Sequence, residues 1–155
     1  MNEAVVAGAL VAAAVNAVPG LFGCWRWYRW QTAARGSTTV FWVLLRSGEG
    51  VAVVFALGVG VLAAAGRGSS ENLFYLYALL PLAVAFVAEQ LRIASAQTIL
   101  DQRGLESAQD LGRLPEEEQR AVVAAILRRE QGIMALSALV VVFLLLRAAE
   151  TAHGF

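Results

Sequence analysis

Four stretches of the chain run almost free of charge: residues 4–23, 40–65, 73–94 and 132–149. A helix needs roughly 20 mostly apolar residues to cross a hydrocarbon core, and each stretch meets or approaches that length. The pattern predicts an all-α polytopic membrane fold: four transmembrane helices in a single domain covering residues 1–155, with a cytoplasmic helical extension between helices 3 and 4. The first stretch has the length of a signal peptide. Its leader Met1-Asn2-Glu3 is acidic rather than basic, however, and no clear A-x-A cleavage site follows, so it is read as a retained span.

The segment between the third and fourth stretches, about residues 95–131, keeps a helical pattern. Residues 97–102 continue the third helix as far as Gly104, a natural stop, and a short turn or helix over 105–111 ends at Gly112. Pro115 opens a new helix, with Glu116, Glu117 and Glu118 in the first turn, where negative charge meets the positive end of the dipole. Val122, Val123, Ile126 and Leu127 form an apolar face, and Glu116 can pair with Arg120 one turn on. A continuous helix over 115–149 would be about 52 Å long at 1.5 Å per residue, longer than a bilayer core of roughly 30 Å. Two arrangements follow: an antiparallel stalk, or an amphipathic helix lying on the inner leaflet.

Small residues recur every fourth position in the first two stretches. Ala4, Gly8 and Ala12 lead to Asn16 and Gly20; Gly48, Ala52 and Ala56 lead to Gly60 and Ala64. Such stripes let helix backbones approach closely, so these helices should pack on each other or on a symmetry mate. Pro81 removes one backbone hydrogen bond from the third helix and should bend it near the middle.

Composition agrees with a lipid-facing chain. Apolar residues make up 59% and charged residues 15%, against about half and a quarter in soluble domains. Net charge is zero, which gives no case for a nucleic-acid partner. All 12 basic residues are Arg, a usage that fits a GC-rich bacterial coding bias. Their placement orients the chain. Arg26, Arg29 and Arg35 follow the first span; Arg92, Arg103, Arg113, Arg120, Arg128 and Arg129 follow the third. Only Arg67 and Arg147 lie on the other side. By the positive-inside rule both Arg-rich connections are cytoplasmic, and both termini of this plasma-membrane protein are extracytoplasmic. Trp25, Trp27, Tyr28 and Trp30, interleaved with Arg26 and Arg29, read as a headgroup-level anchor to the lipid bilayer.

One Cys and one His exclude an internal disulfide, a Cys/His metal site, a bis-His haem and a CxxC pair. No metal or cofactor is expected. Cys24 reads as an interfacial packing residue and His153 as a tail residue. The candidate chemistry lies in polar groups inside the spans: Asn16, Arg46, Glu49 and Glu89, with Gln90 and Arg92 toward the cytoplasmic edge and Gln97 beyond. By helix rise, Glu89 and Arg46 sit about 5–10 Å deep, and Glu49 and Asn16 about 10–15 Å. Charges at such depth are costly and usually paired. One reading is structural, with Arg46 bridging Glu89 and Glu49 and Asn16 tying the first two helices. The other makes the layer a binding site or ion pathway, extended by Gln90 and Gln97.

Four spans in 155 residues resemble, in architecture alone, the small trimeric membrane glutathione-transferase group. That family's Arg, Asn and Glu constellation in the second span is not reproduced by Arg46-Ser47-Gly48-Glu49. With no catalytic residue, phosphate-binding loop or Ser/His arrangement in view, an enzyme is not expected. Two functions remain: a non-catalytic accessory or scaffold protein that packs as a homo-oligomer or with other membrane proteins, and an oligomeric channel or transporter for an ion or small polar solute.

Overall fold

The structure is a computed structural model that describes residues 2–29, 38–105 and 108–152. Trp30, Arg35 and His153 lie outside the described residues. Helix α1 covers Asn2–Tyr28, α2 Thr38–Ala64, α3 Asn72–Gln102, α4 Ala108–Leu111 and α5 Glu116–Thr151. Four of them, α1, α2, α3 and α5, are long and apolar enough to cross a membrane. The all-α, four-span expectation therefore holds, and the chain is a small multi-pass membrane protein.

Chain punctuation follows local chemistry. Helices α2 and α3 both end with a glycine in the left-handed region, Gly66 at φ 70° and Gly104 at φ 67°. At the first stop Arg67 N–H donates to Leu62 O and Gly66 N–H to Ala63 O; at the second Leu105 N–H donates to Leu100 O and Gly104 N–H to Asp101 O. These paired bonds satisfy carbonyls that a helix end would otherwise leave orphaned. Pro115 caps α5 in an extended conformation, ahead of Glu116–Glu118. One boundary differs from expectation. The connection placed at 24–39 begins inside α1, which runs on to Tyr28. Arg and Trp are acceptable helix formers, and no Gly or Pro stands between Cys24 and Tyr28 to stop the turn.

The helices alternate in direction, and α5 is the central element, packed extensively against both α1 and α3. Helix α2 rests chiefly on α1 and touches α3 lightly. The core is thin and rich in alanine. Val5, Val59, Phe74, Ala78 and Ala148 fill one end, Ala12, Ala13, Ala52 and Leu145 the middle, and Phe41, Leu45, Met134 and Ala135 the other end. Helices α3 and α5 extend past this body, where Ile99, Leu105 and Val122 are buried. At 1.5 Å per residue their 31 and 36 residues correspond to about 46 and 54 Å. The N-terminal part of α5 thus continues the span in one helix.

The α1 and α2 stripes meet as expected through Asn16, Gly48, Ala52 and Ala56, all buried. The contact with α1 does not extend to Gly60 and Ala64, which are exposed in the single chain, and Val59 is buried in their place. The cause is geometric. At about 100° per residue, each four-residue step drifts about 40° around the helix. After three steps Gly60 has turned off the face that Gly48 defines, whereas Val59 has returned to it.

Candidate functional site

Asn16, one turn before Gly20 on α1, is 1% exposed and directs its amide across to α2. Its Nδ2 donates to Gly48 O at 2.9 Å and to Ala12 O at 2.9 Å. Gly48 makes this approach possible, because a Cβ there would lie 2.8 Å from Asn16 Oδ1. A polar side chain in the spans is thereby satisfied by backbone, which removes most of the cost of placing it there.

Beside this tie runs a chain of charges of alternating sign. Arg46 Nη1 meets Glu49 Oε2 at 2.6 Å, one turn along α2. Arg46 Nη2 meets Glu89 Oε1 on α3. The second oxygen of Glu89 accepts from Arg92 Nε at 2.8 Å, and Arg92 Nη1 reaches Glu130 Oε2 on α5 at 3.8 Å. The Arg92 guanidinium also lies over the Trp42 ring, 5.4 Å from its centroid. Two arginines and three glutamates thus link α2, α3 and α5, with a formal charge of one negative. The chain borders a cleft of about 260 Å³ between α2 and α3, with Asn16, Pro81 and Val141 among its walls. Arg46 sits at its mouth with a side chain 52% exposed, while Glu49 and Glu89 lie deeper at 19% and 24%. Among the described residues, no three Asp, Glu, Cys or His side chains converge as metal ligands.

The structure therefore brings together Asn16, Arg46, Glu49, Glu89 and Arg92, and leaves Gln90 and Gln97 aside. Gln90 is exposed and lines no part of the cleft, and Gln97 donates to Asp101 Oδ1 at 2.8 Å on the surface of α3. Adjacent helical positions point about 100° apart, so a helix that turns Glu89 toward α2 turns Gln90 away. The member that sequence reasoning missed is Glu130, which falls in the connection placed at about residues 95–131. Its signal was its place two residues before Gly132, where the fourth span begins.

At the same end of the bundle, α1 carries a second concentration of polar groups. Arg26 is buried, with its guanidinium 5.8 Å from the Phe22 centroid, and Arg29 lies 5.6 Å from that of Trp25. Arg128 of α5 lies 5.6 Å from the centroid of Trp27. The fold and these sites define a compact polytopic helical membrane protein with an internal ion-paired layer and an Arg/Trp-rich end. Comparison with protein-family models, curated proteins and solved structures finds no match.

Proposed function

We propose that this chain is a non-catalytic membrane scaffold that self-associates through the exposed face of α2, with its Arg-rich end and the α3–α5 extension in the cytoplasm. The observation that carries the reading is the emptiness around three glycines: a Cβ at Gly50, Gly58 or Gly60 would meet nothing within 4 Å. Glycine inside a helix costs about 1 kcal/mol relative to alanine. Within one protomer these three return no packing for that cost; against a second helix Gly50, on the face of Val54, Leu57 and Val61, permits close backbone approach, with Gly58 and Gly60 on its two flanks. Val54, Leu57 and Val61, exposed between them, supply the apolar contact. The side of α2 turned away from Val54, Leu57 and Val61 is held against α1 by the Asn16 tie at Gly48, which braces the helix that docks.

Self-association in lipid nanodiscs or bilayers, followed by energy transfer between labelled copies, tests this reading. Gly50→Leu, on the same face as Val54, Leu57 and Val61, should abolish transfer while the thermal stability of the monomer holds or rises through helix propensity. Absence of transfer in the unsubstituted protein would remove the proposal.

A transport function is the second reading, and the cleft favours it, since Arg46, Glu49 and Glu89 all border one open space. Flux through proteoliposomes that falls on Glu49→Gln would place function in that layer. Unchanged leakage relative to empty liposomes would dismiss it.

A further inference from the structure

A cavity of about 330 Å³ lies between α1 and α5 at the Arg/Trp-rich end, away from the ion chain. Three kinds of surface succeed one another along it. Arg129 stands at its outer end, Trp27 forms a wall, and Ile133 and Leu136 continue along α5 toward the middle of the span. Positions 129, 133 and 136 share one face of a helix, at i, i+4 and i+7. Gly132 completes the cavity: a Cβ there would lie 3.0 Å from Trp27 Nε1 and 3.1 Å from its Cδ1, so the indole rests against bare helix backbone. Arg128 stacks on that same indole, which brings a second guanidinium to the outer end. No carboxylate lines the cavity, and Glu130, the acid next to Arg129 in sequence, reaches Arg92 on α3 instead.

We propose that this cavity is a binding site for an anionic phospholipid. The succession of surfaces matches the succession of groups in such a lipid. Phosphate meets the guanidinium groups, the glycerol level meets the tryptophan, and an acyl chain lies over Ile133 and Leu136. Guanidinium groups recognise phosphate by charge and by their fork of N–H donors. Basic pockets between spanning helices are where anionic headgroups bind, at roughly 1 kcal/mol per arginine, or about fivefold in affinity. A zwitterionic lipid gains less, because its amine meets the same positive end. The inference does not depend on the reading of α2, which lies on the other flank of α1.

Native mass spectrometry of the delipidated full-length protein, titrated with dioleoyl phosphatidylglycerol or dioleoyl phosphatidylcholine, reads the affinity directly. Phosphatidylglycerol should bind more tightly. Arg129→Gln should weaken it about fivefold and the Arg128→Gln/Arg129→Gln pair about 25-fold, with phosphatidylcholine binding little changed. Arg29→Gln is the control, since it lies at the same end of α1 over Trp25 rather than Trp27. Gly132→Val should weaken binding of both lipids by filling the cavity; if it fails to fold, the arginine variants still decide. Equal binding of the two lipids would overturn the proposal. An Arg29→Gln loss as large as that of Arg129→Gln would reduce the site to diffuse attraction along the headgroup belt. Displacement of the lipid by glycerol 3-phosphate at equal concentration would show an anion site with no acyl groove.

Discussion

Gly23 sits where three helices converge. A methyl group there would fall 2.5 Å from Phe41 Cε2 on α2 and 2.6 Å from Ala135 Cβ on α5. Neither neighbour has room to give, because Phe41 and Ala135 are both fully buried. Gly23→Ala should therefore destabilise the protein by about 1–3 kcal/mol, the usual cost of overpacking. Gly58→Ala, which meets open space, should instead stabilise the monomer by up to about 1 kcal/mol through helix propensity. Reversible unfolding in mixed detergent compares the two, and equal effects would show that the convergence at Gly23 is absent. Nothing in the sequence separated these glycines, since both end or interrupt an apolar run. Their opposite consequences come from neighbours 18 and 112 positions away in one case and from none in the other. Asn16 was more legible, as a lone amide in a span must find a partner. Asn16→Leu should cost about 0.6–1.7 kcal/mol, the range of interhelical hydrogen bonds in membranes.

Between elements, the Arg46–Glu89 pair expected from similar depth is present, and it is one link in a longer chain. That changes the expected energetics. When Arg46 is removed, Glu89 keeps Arg92, whereas Glu49 has Arg46 as its one ion-pair partner among the described residues. The orphan left by Arg46→Met is thus Glu49. A double-mutant cycle should give Arg46–Glu49 a larger coupling than Arg46–Glu89, each within about 0.5–3 kcal/mol. Arg46→Met/Glu49→Leu should accordingly recover more stability than Arg46→Met/Glu89→Leu. The reverse order would mean that α2 and α3 are held by the interhelical pair, with the intrahelical one incidental. Depth along each helix could be counted from the sequence, which is why four charged members were found. Which neighbour each face would meet could not be counted, which is why Gln90 was included; Glu130 was left out because it falls in the connection rather than in a span.

At the scale of the molecule, the nine-to-two division of arginines about the spans predicts the orientation proposed above. Single cysteines at positions 67 and 117 in a Cys24→Ser background test it on intact cells. Arg67→Cys should react with an impermeant thiol reagent, and Glu117→Cys should react only after permeabilisation. Labelling of position 117 from outside would invert the orientation, and would carry the Arg/Trp-rich end and the proposed lipid cavity to the outer leaflet. The continuity of α5 also bears on the connection. A single helix from Glu116 to Thr151 with Val122 buried fits a packed extension of α3 and α5 better than a helix laid flat on the bilayer.

The number of helices and their approximate ends followed from sequence alone. Each depends on local quantities: hydropathy summed over a span, a glycine that can adopt positive φ, a proline at a helix start, and a fixed rise per residue. Which helix stands at the centre did not follow. The small-residue stripes pointed to packing of α1 and α2 on each other or on a symmetry mate, while the structure packs α1 and α3 most extensively on α5 and leaves α2 at the flank. The fifth member of the ion chain and the cavity beside Gly132 likewise became visible only once α5 was seated between its neighbours. In a bilayer, lipid tails are as apolar as leucine, so hydrophobicity decides which segments insert and says little about which helices meet. Meeting is decided by shape and by polar partners that lie far apart in the chain, and those are properties of the assembled bundle.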